Sequence, residues 1–346
     1  MSAPKISVLV PLYNRRQYIE QCLDSALAQT FREDYEIIVR DDGSTDGVAE
    51  FVEQHYAAEI SSGKIKFRRN EKNIGEHRST NVLINEATGK YIMFLHNDDV
   101  YLLRALEHMY EVAERFNADV VHMSFFLRTA PDGVIDKNSK LEICPYDKPQ
   151  VNKIGVMTDD FVARFNQWHS GNFGVNAQKN IFRKDFLIEN GLGLKAFGGH
   201  RLFVLEWLMK AKTVARTPVP LYIKRQSPYS VTNSKFTPER VTNFISNQIK
   251  LSRYLDEWFA TDEFFKDKPD FQYRARTNML SVFDNFWIGR NGIYKNGITP
   301  ELHNAVEDSF KKYFGNDAAF PTFLFHWIHA AMSGKPVDTI SPPPLR

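Results

Sequence analysis

Hydrophobic and polar positions in the first 130 residues follow two alternating periods. Short apolar runs at residues 6–11, 36–39, 65–67, 91–95 and 119–126 are rich in β-branched or aromatic residues and predict strands. Between them apolar residues recur at helical spacing. Ile19, Cys22, Leu23, Ala26 and Leu27 follow Asn14, which can cap a helix, and Val48, Phe51, Val52 and His55 follow Ser44, which can cap another. Residues 80–87, stopped by Gly89, and residues 101–116 complete the helical segments. Strands alternating with helices imply an α/β fold, Rossmann-like, with a mostly parallel sheet and flanking helices.

Residues 140–235 are less regular. Pro131, Asp132 and Gly133 form a turn, with proline setting φ and glycine supplying positive φ. Residues 168–182 read as a Gly- and Asn-rich loop entering a strand, 185–189 as a short helix, 191–199 as loop, 203–210 as helix and 221–224 as an edge strand. From Thr237 the pattern is helical alone. Thr237, Pro238 and Glu239 start one helix and Thr299, Pro300 and Glu301 another, each with proline in the first turn. Val241, Phe244, Ile245, Gln248, Leu251, Leu255 and Trp258 trace one face of the first; residues 271–287 give a second helix, and Leu302, Val306, Phe310 and Tyr313 mark a third. The expected organisation is an α/β domain over 1–236, with halves at 1–130 and 131–236, and an all-α C-terminal extension over 237–346, frayed at Pro342–Pro344.

Composition narrows the function. With 44 Lys+Arg against 42 Asp+Glu, the net charge of +2 speaks against a nucleic-acid partner. At 43% hydrophobic residues the chain can bury a core. Two cysteines, Cys22 and Cys144, provide no disulfide framework, so a reduced, cytoplasmic setting is expected. No signal peptide or membrane-spanning run is seen; the nearest candidate, residues 320–332, is short and carries His326 and His329. Nineteen aromatics lie between Phe244 and Trp327. They suit a packed helical subdomain, a homodimer interface or peripheral contact with the inner face of a membrane.

Open α/β sheets bind ligands beyond the carboxyl ends of their strands. Tyr13 and Asn14, Asp41 and Asp42, and Asn97, Asp98 and Asp99 all fall there. With these clusters, residues 7–14 (SVLVPLYN), 22–25 (CLDS), Gln29, Thr30, 36–39 (EIIV), 41–46 (DDGSTD), 73–75 (NIG), Asn81, 87–92 (ATGKYI) and 94–95 (FL) resemble, in order and spacing, a family 2 glycosyltransferase of the GT-A fold and bacterial surface-glycan type.

The resemblance implies that Pro11, Tyr13 and Asn14 line a nucleotide pocket and that Asp41 faces the base, with uracil favoured because a carboxylate accepts from an imide N–H. Asn97 and Asp98 stand in the family's Asp-x-Asp region, with Asp98 at the metal-touching position for Mg²⁺ or Mn²⁺. His96 replaces the first carboxylate, and three roles are open to it: ribose contact, soft coordination or packing. Arg78 is placed to reach a phosphate, or stands as a solvated charge. Arg225, followed by Ser227 and Ser230, resembles a late segment that folds over the diphosphate. Where the family presents a catalytic carboxylate, this chain has Gly198, Gly199, His200 and Arg201, so His200 is a candidate base and His169 another.

The implied function is an inverting, metal-assisted transfer from a UDP-sugar to a hydroxyl on a glycan, lipid-linked glycan or protein, in polysaccharide biosynthesis. The alternative is a degenerate relative that binds a nucleotide or partner without transfer. A dinucleotide-dependent oxidoreductase is disfavoured, because no Gly-x-Gly-x-x-Gly follows the first strand.

Overall fold

The computed structural model describes residues 3–131, 133–136, 138–145, 153–170, 176–226, 236–287 and 299–314. The chain forms two compact units, Met1–Pro228 and Tyr229–Arg346. The first runs through β1 (Ile6–Leu12), α1 (Ile19–Leu27), β2 (Tyr35–Asp41), α2 (Val48–His55), α3 (Ala57–Ser61), β3 (Ile65–Arg69), α4 (Glu76–Glu86) and β4 (Tyr91–Phe94). It continues through β5 (Val100–Tyr101), α5 (Ala105–Phe116), β6 (Val120–Met123), β7 (Phe125–Arg128), β8 (Glu142–Pro145), β9 (Gly155–Val156) and α6 (Phe161–His169). After a 3-10 turn at Ala177–Lys179 come β10 (Asn180–Arg183), α7 (Lys184–Glu189), α8 (Gly199–Lys210), β11 (Val214–Thr217) and β12 (Tyr222–Lys224).

Among the described residues, eight strands form one sheet in the order β3-β2-β1-β4-β10-β6-β11-β9. Strand β1 pairs in parallel with β2 on one side and β4 on the other. All seven of its residues are buried, which is why it reads as a continuous apolar run. Strand β10 enters antiparallel between β4 and β6. The chain moves outward from β1 to β3, then returns through α4 to β4 on the other side of β1. The crevice between β1 and β4 is thus the point where strand order reverses, the place where such sheets bind ligands. Helix α1 turns Ile19, Cys22, Leu23 and Ala26 into the core, and α5 turns in Leu106, Met109, Val112 and Ala113. Helix α8 is buried all round from Leu202 to Met209, as a helix apolar on every face must be.

Several local expectations are corrected. Asn14 and Ser44 are not helix caps: α1 and α2 start after Tyr18 and Gly47. The two side chains instead bond each other's loops. Tyr101 belongs to a strand, and the following helix begins at Ala105. The single strand expected at 119–126 is two, β6 and β7, which leave for different sheets. Strand β12 is no edge. It lies between β5 and β7 in a four-stranded sheet ordered β5-β12-β7-β8. Helix α6 occupies part of a region read as irregular, and Asp160 caps it by accepting from Val162 N at 2.8 Å.

The second unit contains α9 (Pro238–Thr261), α10 (Pro269–Trp287) and α11 (Pro300–Phe314). Both Thr-Pro-Glu starts cap as expected. Thr237 Oγ1 accepts from Arg240 N at 3.2 Å, and Thr299 Oγ1 from Leu302 N at 3.4 Å. Val241, Ile245, Leu251, Leu255 and Phe259 form the buried stripe of α9, and Phe259 meets Phe265 with ring centroids 4.3 Å apart. Among the described residues no helix is long and apolar enough to cross a membrane. Residues 320–332 and the terminal prolines lie outside the described residues.

One carboxylate staples the parallel strands. Glu36 on β2 accepts from Ser7 Oγ on β1 at 2.5 Å and from Thr88 N and Oγ1 at 2.7 and 2.8 Å, and it pairs with Lys66 on β3 at 2.5 Å. Burial pushes its carboxyl pKa up, but Lys66, Ser7 and Thr88 together outweigh burial and hold it below the usual 4.5. A depressed folded-state pKa adds stability that is present above the unfolded value and lost as pH falls through the folded one. Glu36→Gln is therefore expected to cost about 1–3 kcal/mol near neutral pH. It is also expected to flatten the decline in stability below about pH 4.5. Urea unfolding of both proteins at several pH values checks both effects.

Candidate active site

The turns that follow β1, β2 and β4 meet at the crevice. Asn97 Nδ2 donates to the Pro11 carbonyl at 2.7 Å, so the turn after β4 is fastened to the end of β1. Asn14 sits in the left-handed region at φ 47°; its N–H donates to Ser44 Oγ at 2.9 Å, and its Oδ1 accepts from Thr45 N at 2.8 Å. Asparagine tolerates that conformation because a short polar side chain can bond locally. Gly43 is required beside it. It has φ +74°, and a Cβ there would lie 2.9 Å from Asn73 N and from the Lys72 carbonyl carbon. Tyr13 is exposed at the rim.

Asp41 ends β2 and is fully buried. Its carboxylate accepts from Ser44 N at 3.2 and 3.3 Å and pairs with Arg69 Nε at 3.3 Å. Asp42, its neighbour, accepts from Ile74 N and Gly75 N at 2.9 Å each and from Asn70 Nδ2 at 2.8 Å, fixing the loop that leads into α4. Arg78 stands exposed on α4 with no ion pair among the described residues.

The acidic turn is clasped from beneath. Asp99 is buried; its Oδ2 accepts from Tyr222 OH at 2.5 Å and its Oδ1 from Arg225 N at 2.8 Å. Burial, then the neighbouring Asp98 charge, pushes the Asp99 carboxyl up to about 7, against Tyr222 and Arg225. Asp98 is half-buried, with Arg15 Nε 3.8 Å away. Arg225 is buried too. Its guanidinium donates to the Asp98 carbonyl at 2.8 Å, to Gln21 Oε1 at 2.7 Å and to the Gly133 carbonyl, and it lies 4.6 Å from the Tyr18 ring centroid. These bonds commit the side chain to shaping the turn, so a diphosphate contact would have to be made over them. Ser227 and Ser230 lie outside the described residues.

Beside the turn lies a cluster of imidazoles. Helix α8 starts at Gly199, whose φ of +52° favours glycine, and presents His200 next. The His200 and His96 rings stand 5.7 Å apart. His200 Nε2 is 3.9 Å from Glu76 Oε1, in the first turn of α4. His200 holds the Glu76 carboxyl down at about 2 against desolvation, with smaller help from His96 and His77. Two sets of donor atoms lie within 4.8 Å of one another: Glu76, His96 and His200; and His96, Asp98 and Asp99. Sequence reasoning missed Glu76, although the Asn-Ile-Gly stretch immediately before it marked this loop. His169 is in neither set; it ends α6, stacked on Phe165 with ring centroids 6.0 Å apart. Glu206, further along α8, is buried and accepts from Lys195 Nζ at 2.7 Å.

Removing the Arg225 guanidinium orphans three acceptors, the Asp98 and Gly133 carbonyls and Gln21 Oε1, while the backbone N–H that meets Asp99 stays. Arg225→Met is expected to destabilise the fold by about 2–4 kcal/mol through these unmet groups. Thermal unfolding measures the loss, and a change under 1 kcal/mol (about the worth of an exposed ion pair) would show that the clasp is not structural.

Comparison with known proteins follows the same lines. Residues 7–177 match the family Glycosyl transferase family 2. The uncharacterized glycosyltransferase EpsJ of Bacillus subtilis (strain 168) is 27% identical over 68% of this chain and 65% of its own length. Glycosyltransferase GlyG of Streptococcus pneumoniae is 32% identical over 37% of this chain, so the match spans only 41% of that relative. The poly(ribitol-phosphate) beta-N-acetylglucosaminyltransferase TarP of Staphylococcus aureus (strain N315) is 27% identical over 84% of this chain and 81% of TarP. Among solved structures, S. aureus TarS 1–349 in complex with UDP-GlcNAc superposes with a TM-score of 0.63 at 18% identity, covering 96% of this chain and 88% of that one. At that identity the likeness is one of fold, the mixed α/β architecture with its largely parallel sheet. Motif order, fold and family match agree: through residues 7–177 the chain belongs to glycosyl transferase family 2.

Proposed function

We propose that the chain transfers a sugar from a UDP-sugar to an acceptor hydroxyl on a glycan, lipid-linked glycan or protein, with inversion and with help from Mg²⁺ or Mn²⁺. The observation that carries this reading is the convergence of three polar turns at the β1–β4 crevice, tied together through Asn97–Pro11 and Asn14–Ser44. The solved complexes of TarS hold UDP-GlcNAc or UDP, which supports a uridine nucleotide as the first donor to test. Pro11, Tyr13, Asn14 and Asn97 would line the nucleotide, and Asp41 would set the base-proximal end of the pocket. Arg15, whose Nε is 3.8 Å from Asp98, and Arg78, exposed on α4, would be the cations for phosphate oxygens.

Asp98 fits a hard divalent cation, being a half-buried carboxylate with donor atoms of His96 and Asp99 within 4.8 Å. A metal bound there would supply charge neutralisation for the leaving diphosphate. The Asp99 carboxylate already accepts from Tyr222 OH and Arg225 N, which leaves Asp98 as the carboxylate turned to a cation. His200 is the proposed base. Glu76 beside Nε2 favours a proton on that nitrogen, which leaves Nδ1 as an acceptor; Nδ1 is buried and makes no hydrogen bond. His169, the other candidate base, belongs to neither set of donor atoms.

Hydrolysis and transfer with a panel of nucleotide sugars, with and without Mn²⁺, test the reading. Failure to bind any nucleotide would sink it, and UDP binding without transfer to any acceptor would favour a degenerate binding protein. Asp98→Asn is expected to lower kcat/KM about a hundredfold or more. His200→Gln is expected to lower kcat by about 10²–10⁴ while leaving the calorimetric affinity for UDP unchanged.

A further inference from the structure

The Glu76, His96 and His200 cluster has a second capacity. Its three side chains come from three separate segments: the first turn of α4, the turn after β4 and the first turn of α8. Two imidazoles and one carboxylate form a borderline-soft donor set, unlike the all-oxygen sets that Mg²⁺ prefers. Their ligand atoms already lie within 4.8 Å of one another. In a tetrahedral site with metal–ligand bonds near 2.0–2.2 Å the donors stand roughly 3.3–3.6 Å apart, so movements of about 1 Å at the side-chain tips would close it. Glu76 is half-exposed, giving an ion a way in.

Each segment is held behind its ligand, as metal sites require. Asp42 accepts from Ile74 N and Gly75 N, immediately before Glu76. The His96 carbonyl accepts from Cys22 Sγ at 3.3 Å, and His96 N donates to Tyr222 OH at 3.4 Å. Gly199 takes the positive φ that turns the chain into His200. His77 lies alongside, with Nε2 3.8 Å from where a Gly199 Cβ would be.

We propose that Glu76, His96 and His200 form a binding site for a borderline transition-metal ion, Zn²⁺ or its spectroscopic substitute Co²⁺, distinct from the hard-cation position at Asp98, and that its occupation switches transfer off. A metal bonded to His200 rigidifies the imidazole that would otherwise accept the acceptor's proton. It also withdraws His96 from the group it shares with Asp98 and Asp99, so the two cations compete for one side chain. The inhibitory consequence rests on the assignment of His200 as base; the binding itself does not.

The test is titration of metal-free, full-length protein with Co²⁺, followed by the visible absorption that low-coordinate Co²⁺ gains on nitrogen and oxygen ligation. One strong site per chain is expected, displaced by Zn²⁺, with affinity lowered about 10- to 100-fold or more in Glu76→Gln and His96→Asn. His77→Asn should retain it. In wild-type protein, imidazole nitrogen NMR should show the His96 and His200 rings shifting together on stoichiometric Zn²⁺, a readout independent of how the variants fold. No Co²⁺ spectrum, or one unchanged in both variants, overturns the site, as does Zn²⁺ that leaves both rings unshifted. Inhibition of sugar transfer by Zn²⁺, reversed by chelator and with UDP binding retained, is the expected functional result. Zn²⁺ binding at this cluster with undiminished transfer would overturn the switch and the base assignment while leaving the metal site standing.

Discussion

The buried carboxylate of Asp99 is the constraint on which the rest of the site depends. A charge of this kind persists away from water only when its lone pairs are met, and here Tyr222 OH and Arg225 N meet them. The two donors lie at the end of the four-stranded sheet, and the acceptor lies on the turn leaving the eight-stranded one. A single satisfied carboxyl group therefore couples the two sheets. Arg225 extends the coupling to Gly133 and to Gln21 on α1, so that the Asp98 backbone is gripped from several directions. Asp98 keeps the freedom its neighbour has lost.

A similar economy operates at the other turns. Asn14 and Ser44 each satisfy a backbone group on the opposite loop, which aligns the ends of β1 and β2 without a helix cap. Asp42 does the same for the approach to α4. The polar residues at the carboxyl ends of the strands thus divide into two kinds. Asp42, Ser44 and Asp99 are spent on the protein, whereas Tyr13, Asp98 and the imidazoles of His96 and His200 keep part of their surface open at the crevice.

Much of this was legible in the sequence because parallel strands buried on both faces leave an unmistakable apolar signature, as residues 6–11 and 91–95 show. The strand-end motifs were legible for a related reason: each follows directly on a buried apolar strand, β1, β2 or β4. Long-range partnerships were not. Glu76 reads as an ordinary first-turn acid, and only the fold brings His96 and His200 to it. Arg225 reads as a cation available to a ligand, because nothing local reveals that Gly133 and Gln21 accept from it. Asp119 to Phe126 reads as one strand because the bend at Ser124, where the chain changes sheets, has no glycine or proline to mark it. Asn14 and Ser44 carried the right chemistry for caps, and tertiary structure used it elsewhere.

The separation between Asp99 and Arg225 is 126 residues, and it orders events during synthesis. The N-terminal half, with its parallel strands and short connections, leaves the ribosome carrying an acid whose partners do not yet exist. Contacts of such range form late, because a long loop must close before they can act. The half-made protein thus holds its crevice walls but not the floor beneath Asp98. Until β12 stands between β5 and β7, the growing chain has the outline of the crevice and nothing to keep its central acid in place.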